Sequence, residues 1–243
     1  MLSAALAYPR RGETALRRHL VGGGILLLSV FVLPVLLVYG YVVRVARGLA
    51  AADPDPPEWE DWEDLFVDGV KFFAVTLAYS LPLVVLSFVL GLFAAVAALG
   101  AATGSAGTAV GFGLGGAVVG MLIGLVGLVV GYILPGALVN WVLEDDVAAA
   151  FHLRTVASNA ASGPYLVAWL KAIGVTIVLS IVGGILMAFL LVGLLVYFYM
   201  VVVVTYLMTD GYLEAMGHES AGAVSRRLEG HPGAEGGAPG PAS

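Results

Sequence analysis

The chain has 243 residues, of which 60% are hydrophobic and 12% charged, with a net charge of −6; soluble domains carry about 25% charged residues. Charges this sparse cannot wet the surface of a water-soluble protein, and no Asp, Glu, Lys or Arg occurs between Lys71 and Glu144. A bilayer core is crossed by about 20 helical residues, so the composition excludes a soluble enzyme, a nucleic-acid-binding protein and a disordered chain, and specifies a polytopic membrane protein. The absence of cysteine excludes disulfides, thiolate catalysis and Cys-ligated metals.

Residues 1–20 read as a basic tail with Arg10, Arg11, Arg17 and Arg18. The apolar run 21–43 reads as a first span closed by Arg44 and Arg47. Arg17-Arg18 followed by an apolar run has the look of a secretion signal, but the run is too long and is separated from Ala50-Ala51-Ala52 by arginines, so an uncleaved anchor is expected. Asp55-Pro56-Pro57-Glu58 carries helix-start signals. Trp59, Trp62, Phe66, Val70 and Phe73 then share one helical stripe opposite Glu60, Asp61, Asp64, Asp68 and Lys71. The spacing predicts an interfacial helix over 56–71, running into a second span over 72–99 that contains Pro82.

A Gly/Ala/Ser/Thr-rich turn region follows, then a third span over 117–143 with Pro135 and Asn140. Gly113, Gly116, Gly120, Gly124, Gly127 and Gly131 recur every three or four residues and fall on one helix face. In lipid such a stripe is a packing seam, within the chain or between copies. Glu144-Asp145-Asp146 caps a second interfacial helix over 147–158, ended by Gly163-Pro164. Spans four and five are expected at 165–183 and 186–209, turning at Gly183-Gly184, before a disordered Gly/Pro/Ala-rich tail over 215–243. The order span, interfacial helix, span occurs twice and hints at an internal repeat. Positive-inside counting places the interfacial helices and the C-terminus on the cytoplasmic side.

Chemical motifs are sparse. Gly111-x-Gly113-x-x-Gly116 lacks the strand–turn–helix setting of a dinucleotide site. The acidic clusters lack the spacing of a calcium loop and read as solvated faces or helix caps. No two histidines stand four apart, and no nucleophile–base pair is apparent, so catalytic, metal and cofactor sites are all expected to be absent. Asp68, Lys71, Asn140 and Lys171 are the candidates for polar or functional contacts, with Asp68 and Lys71 spaced to pair with each other. No carboxylate is expected deep within a span, which argues against an ion pump.

Several elements then fall into a familiar order. They are Gly22-Gly23-Gly24, Gly40-Tyr41-x-x-Arg44-x-x-Arg47, Pro56-Pro57, Trp62-x-x-Leu65-Phe66-x-Asp68-Gly69-x-Lys71, Tyr79 and Pro82. Ala150-Phe151-x-Leu153-Arg154 and Tyr165-Leu166-Val167-Ala168-Trp169 complete the series. The chain resembles, over about residues 5–215, the polytopic family catalogued as domain of unknown function 4013. That resemblance implies a helical membrane protein, often archaeal, and carries over no activity, substrate or site residue. A halophilic member would suit the acid excess.

The reading is an all-α integral membrane bundle of about five spans, with residues 21–214 forming one membrane-embedded domain in the plasma membrane. A non-enzymatic scaffold or interaction component is expected, contacting the lipid bilayer and, through the glycine stripe, other membrane proteins or a second copy. The alternative is a small-solute permease or channel-like transporter. Nucleic acid is not an expected partner.

Overall fold

Helices satisfy their own backbone amides in lipid. The computed structural model, which describes residues 2–12, 14–27 and 32–218, is all-α, with no strand among those residues. Eight α-helices follow in order: α1 (Leu2–Ala7), α2 (Ala15–Leu27), α3 (Val32–Ala50), α4 (Trp62–Ala102), α5 (Ala106–Glu144), α6 (Leu153–Ala160), α7 (Gly163–Leu186) and α8 (Leu190–Ala215). Short 3-10 turns lie at Tyr8–Arg10, Val147–Phe151 and Met187–Phe189. Among the described residues four helices are long and apolar enough to cross a membrane: α4, α5, α7 and the Val192–Ala215 part of α8. The protein is an integral membrane helical bundle.

The expected first span, 21–43, is not one helix. It is divided between α2 and α3, and residues 28–31 lie outside those described. A Cβ on Gly22 would meet the ring of Phe198 at 2.5 Å, and the Tyr41 ring centroid lies 5.4 Å from that same ring. Along a straight helix those two positions would be about 29 Å apart, so the chain doubles back. The expected basic tail, 1–20, is folded over its described part, with Ala5 and Tyr8 fully buried.

The expected interfacial helix 56–71 also differs. Residues 53–61 are irregular, Asp61 has φ +49°, and α4 begins at Trp62 and continues without a break into the second span. The 147–158 segment is a 3-10 turn followed by α6, with Asp146 as the cap, its side chain accepting from the amide of Ala148. Ser162 caps α7 and Pro164 lies in its first turn, so Gly163-Pro164 opens a helix. The segments 117–143 and 165–183 lie within Ala106–Glu144 and Gly163–Leu186, whereas 186–209 begins at the end of α7, takes in the turn at Met187–Phe189, just past the two glycines, and continues in Leu190–Ala215. The tail reading for 215–243 lies almost wholly outside the described residues.

The chain divides into two compact units, one of residues 1–73 and 135–243, the other of residues 74–134. The second unit is an antiparallel hairpin turning at Thr103–Ser105, where Gly104 has φ +74° and Ser105 donates its amide to the Gly100 carbonyl at 2.8 Å. Its seam is made by Gly115, where a Cβ would lie 2.2 Å from the Phe93 ring, and by Gly100 against Thr108 and Ala109. Phe93 meets Phe112 with centroids 5.5 Å apart. Outside that seam the side chains face outward, among them Leu81, Val85, Leu114 and Leu125. A helix pair that is apolar all round is stable only in lipid.

In the first unit α7 and α8 form an antiparallel pair, closed at the turn by Gly193 against the backbone of Met187. α2 lies on α8 through Gly22 and Gly23, which admit Phe198 and Leu195. α3 crosses the start of α4 where Gly40 faces the Leu65 carbonyl and Gly69 faces the Leu36 carbonyl, each at 1.8 Å from an added Cβ. No side chain fits between those two backbones.

Candidate functional site

Charged groups in a membrane protein are expensive unless paired, and the first unit gathers several of its charges into two clusters. In the first, Arg18 is only 3% exposed. Its guanidinium donates to the Arg11 carbonyl (3.2 Å), the Thr14 hydroxyl (3.1 Å) and Glu58 Oε1 (2.9 Å), and Thr14 donates to the same carboxylate. Trp59 donates its indole N–H to the Arg18 carbonyl at 3.0 Å and stacks on Tyr41 with centroids 4.4 Å apart.

These contacts explain why residues 53–61 do not become helix. Proline supplies no amide at positions 54, 56 and 57, and the carbonyls of the segment are taken by distant side chains instead. Arg11 donates to Pro54, Tyr8 to Asp55, Tyr41 to Pro57, and Arg44 to Glu58 and Glu60. The segment is a strap tied to α2 and α3. Trp59 is therefore buried at 6% exposure, although its spacing placed it beside Trp62, which is 48% exposed.

Burial pushes the Glu58 carboxyl up, but the Thr14 hydroxyl and the Arg18 guanidinium outweigh it and hold the group below its ordinary value. A depressed carboxyl contributes stability in full above its unfolded pKa, about 4.3, and loses it as pH falls through the lower folded value. The strap is expected to loosen only below about pH 4. Fluorescence of a variant retaining Trp59 alone should shift on that acid limb, and Glu58→Gln should flatten the transition.

The second cluster lies where α3, α4 and α5 approach. Asp68 is 8% exposed and accepts from both terminal nitrogens of Arg47, with Nη2–Oδ1 at 3.2 Å. The Arg47 guanidinium also sits 6.0 Å from the Trp141 ring centroid and 4.0 Å from Asp145. Asp68 thus pairs with Arg47 and not with Lys71, which is exposed. Asn140 is buried, donating to the Ala149 carbonyl (2.9 Å) and Glu144 (3.1 Å) and accepting from Tyr212 at 3.5 Å. Tyr212 accepts from Asn159, and the amide of Gly136, next after Pro135, donates to Tyr165. Side chains from other helices thereby satisfy the backbone that proline disturbs.

Lys171 is half-buried on α7 beside Leu2 and Leu6. The structure therefore brings Asp68 and Asn140 into buried polar clusters, and leaves Lys71 and Lys171 apart from them. Of the glycine stripe, Gly113, Gly120, Gly124 and Gly131 have open space where a Cβ would stand, and Gly116 and Gly127 make only ordinary contacts. The stripe is not the seam of its own hairpin. Among the described residues no three His, Asp or Glu side chains are grouped to hold a metal ion.

Asp210 went unforeseen. It is 1% exposed on α8, next to the buried Thr209, inside a helix that crosses a membrane by length and composition. It stands five residues before the end of that helix at Ala215, toward the end of the span and not deep within it. Its signal was weak: the apolar run stops at Thr209, and apolar residues resume with Tyr212 and Leu213.

Residues 23–188 match the model of a family described as protein of unknown function (DUF4013). No curated protein and no solved structure matches the chain.

Proposed function

The chain belongs to the DUF4013 family of proteins of unknown function, and from that premise we propose that it is a non-enzymatic, multi-pass scaffold of the plasma membrane. One observation carries this reading: the hairpin of residues 74–134 turns an open glycine stripe and apolar faces outward. Small residues on a lipid-facing helix let another helix approach closely. The occupant is a second copy or another membrane protein. The hydrogen bonds of Arg18, Arg47 and Asn140 support the same reading, because each ties one part of the first unit to another.

The chain lacks cysteine, so Gly124→Cys provides a clean probe. Oxidation in native membranes is expected to give a disulfide-linked dimer or a discrete heteromeric adduct, while Leu81→Cys, on α4 of the same hairpin, gives little.

A permease is the second reading, favoured by the buried Asp210 and by prolines 82 and 135 inside two spans. Saturable solute flux in proteoliposomes, abolished by Asp210→Asn and by Asn140→Ala, would replace the scaffold with a transporter.

A further inference from the structure

Two grooves run end to end along one face of α7 and meet at Leu179. The first, of about 410 Å³, is floored by Gly174, Val175 and Val178, with Leu2 and Leu6 of α1 across it and Lys171 at the end toward the start of α7. The second, of about 490 Å³, continues from Leu179 past Val182, between α7, α8 and the start of α2. The α7 positions involved recur every three or four residues, so they form a single stripe of the helix. From Lys171 to Val182 the stripe is about 17 Å long.

Both grooves are apolar almost throughout, and each has the volume of a small-molecule site. Arg10, His19 and Tyr199 border the second groove. The Tyr199 hydroxyl is bonded to the Leu6 carbonyl and the His19 Nδ1 to that of Ala15, while the other ring nitrogen of His19 is buried. The surface offered to an occupant is therefore aliphatic along its length, with one cation, Lys171, at its entrance.

The direction of the channel follows from α7 itself, a helix long and apolar enough to cross a membrane. Its polar end is the start, where Ser162 caps the helix and Asn159 bonds to Tyr212. Lys171 stands eight residues, about 12 Å, inside that end. Helical side chains lean toward the N-terminus of their helix, so the Lys171 ammonium reaches back toward the membrane boundary while its stem stays on the apolar wall. From Ala172 to Leu186 the helix carries no charge. A chain entering beside Lys171 runs directly into hydrocarbon, and the 17 Å path is close to the depth of one leaflet, about 15 Å.

We propose that the joined grooves hold one long-chain carboxylate, its tail laid along α7 past Leu179 and its head group against the Lys171 ammonium. One channel and one entrance cation call for one tail and one negative charge. Gly174 gives the slot its width, since a Cβ there would stand in open space. The proposal is independent of whether the protein scaffolds or transports.

Native mass spectrometry of the full chain in neutral detergent, titrated with palmitate or with hexadecanol, its uncharged counterpart, tests it. One palmitate per chain is expected, retained about fivefold better than hexadecanol, the effect of one lysine beside an anionic lipid. Lys171→Gln should bring that ratio close to one, while Lys71→Gln, outside the grooves, leaves it intact. Across shorter and longer acids, retention should rise about fourfold per methylene until the channel is full. Val182→Trp closes only the far groove and should end that rise at shorter chains. Gly174→Phe, which fills the near groove, should abolish the adduct, with circular dichroism confirming that the helices persist. Equal retention of acid and alcohol, indifference to Lys171→Gln, or a chain-length profile untouched by Val182→Trp would overturn the proposal. So would a disulfide between copies through Val178→Cys, which would place a second chain in the groove.

Discussion

Gly69→Ala is expected to lose at least about 3 kcal/mol of stability. The new Cβ would lie 1.8 Å from the Leu36 oxygen and 2.6 Å from its carbonyl carbon, with the Gly40 amide nitrogen 3.1 Å away. All three atoms are backbone, so no rotamer change relieves the overlap and the helices must separate. Separation would also strain the Arg47–Asp68 pair and lift Tyr41 from its stack on Trp59. Gly40→Ala meets the Leu65 carbonyl at the same 1.8 Å and should cost as much. The two losses should not add, since one separation accommodates both methyl groups. Gly120→Ala is the contrast: its Cβ enters open space, and the gain in helix propensity is up to about 1 kcal/mol. Denaturant titration in mixed micelles, followed by circular dichroism, reads all three. A Gly69→Ala protein within about 1 kcal/mol of the parent would rule out a backbone-to-backbone crossing at this point.

The second large effect is expected at Arg18. Removing one partner of a buried ion pair costs about 3–5 kcal/mol. Glu58, at 30% exposure, can recover some hydration, which brings the expected loss for Arg18→Ala to about 2–4 kcal/mol. The carbonyl of Arg11 and the hydroxyl of Thr14 lose their donor as well. Limited proteolysis should then cut within residues 53–61 before the rest of the chain unfolds. Arg17→Ala, at an exposed neighbouring position, should stay within about 0.5 kcal/mol of the parent. Equal sensitivity of the two variants would mean that the strap is held by something other than Arg18.

The all-helical class was legible in the sequence wherever a local property decides it. The 72-residue charge-free tract between Lys71 and Glu144 can satisfy its amides in lipid only as helix, and glycine at 104 marks its turn. What misled was information held far away in the chain. An apolar run of 23 residues looks the same whether it crosses or doubles back, and the deciding partner of 21–43 is Phe198. Asp55-Pro56-Pro57-Glu58 has a helix-start pattern, but Tyr8, Arg11, Tyr41 and Arg44 claim the carbonyls around it. The family resemblance drew attention to Gly40, Tyr41, Arg44 and Arg47 and to Trp62, Asp68 and Gly69 as separate strings. Only the fold brings them together: Gly40 meets Gly69, and Arg47 meets Asp68. Asp210 was missed because a hydropathy reading ends a span at its first charge, while the helix continues to Ala215.

The charge-free hairpin has a consequence for how the protein senses its surroundings. A transmembrane potential does work only on charge, about 2.3 kcal/mol per elementary charge per 100 mV. Residues 74–134 contain no ionisable acid or base that is charged at neutral pH, and the dipoles of two antiparallel helices oppose each other. That unit is electrically silent: it can tilt, slide or exchange neighbours without moving gating charge. Any voltage dependence in this protein must therefore arise in the first unit, where Asp68 and Asp210 are buried carboxylates on candidate spans.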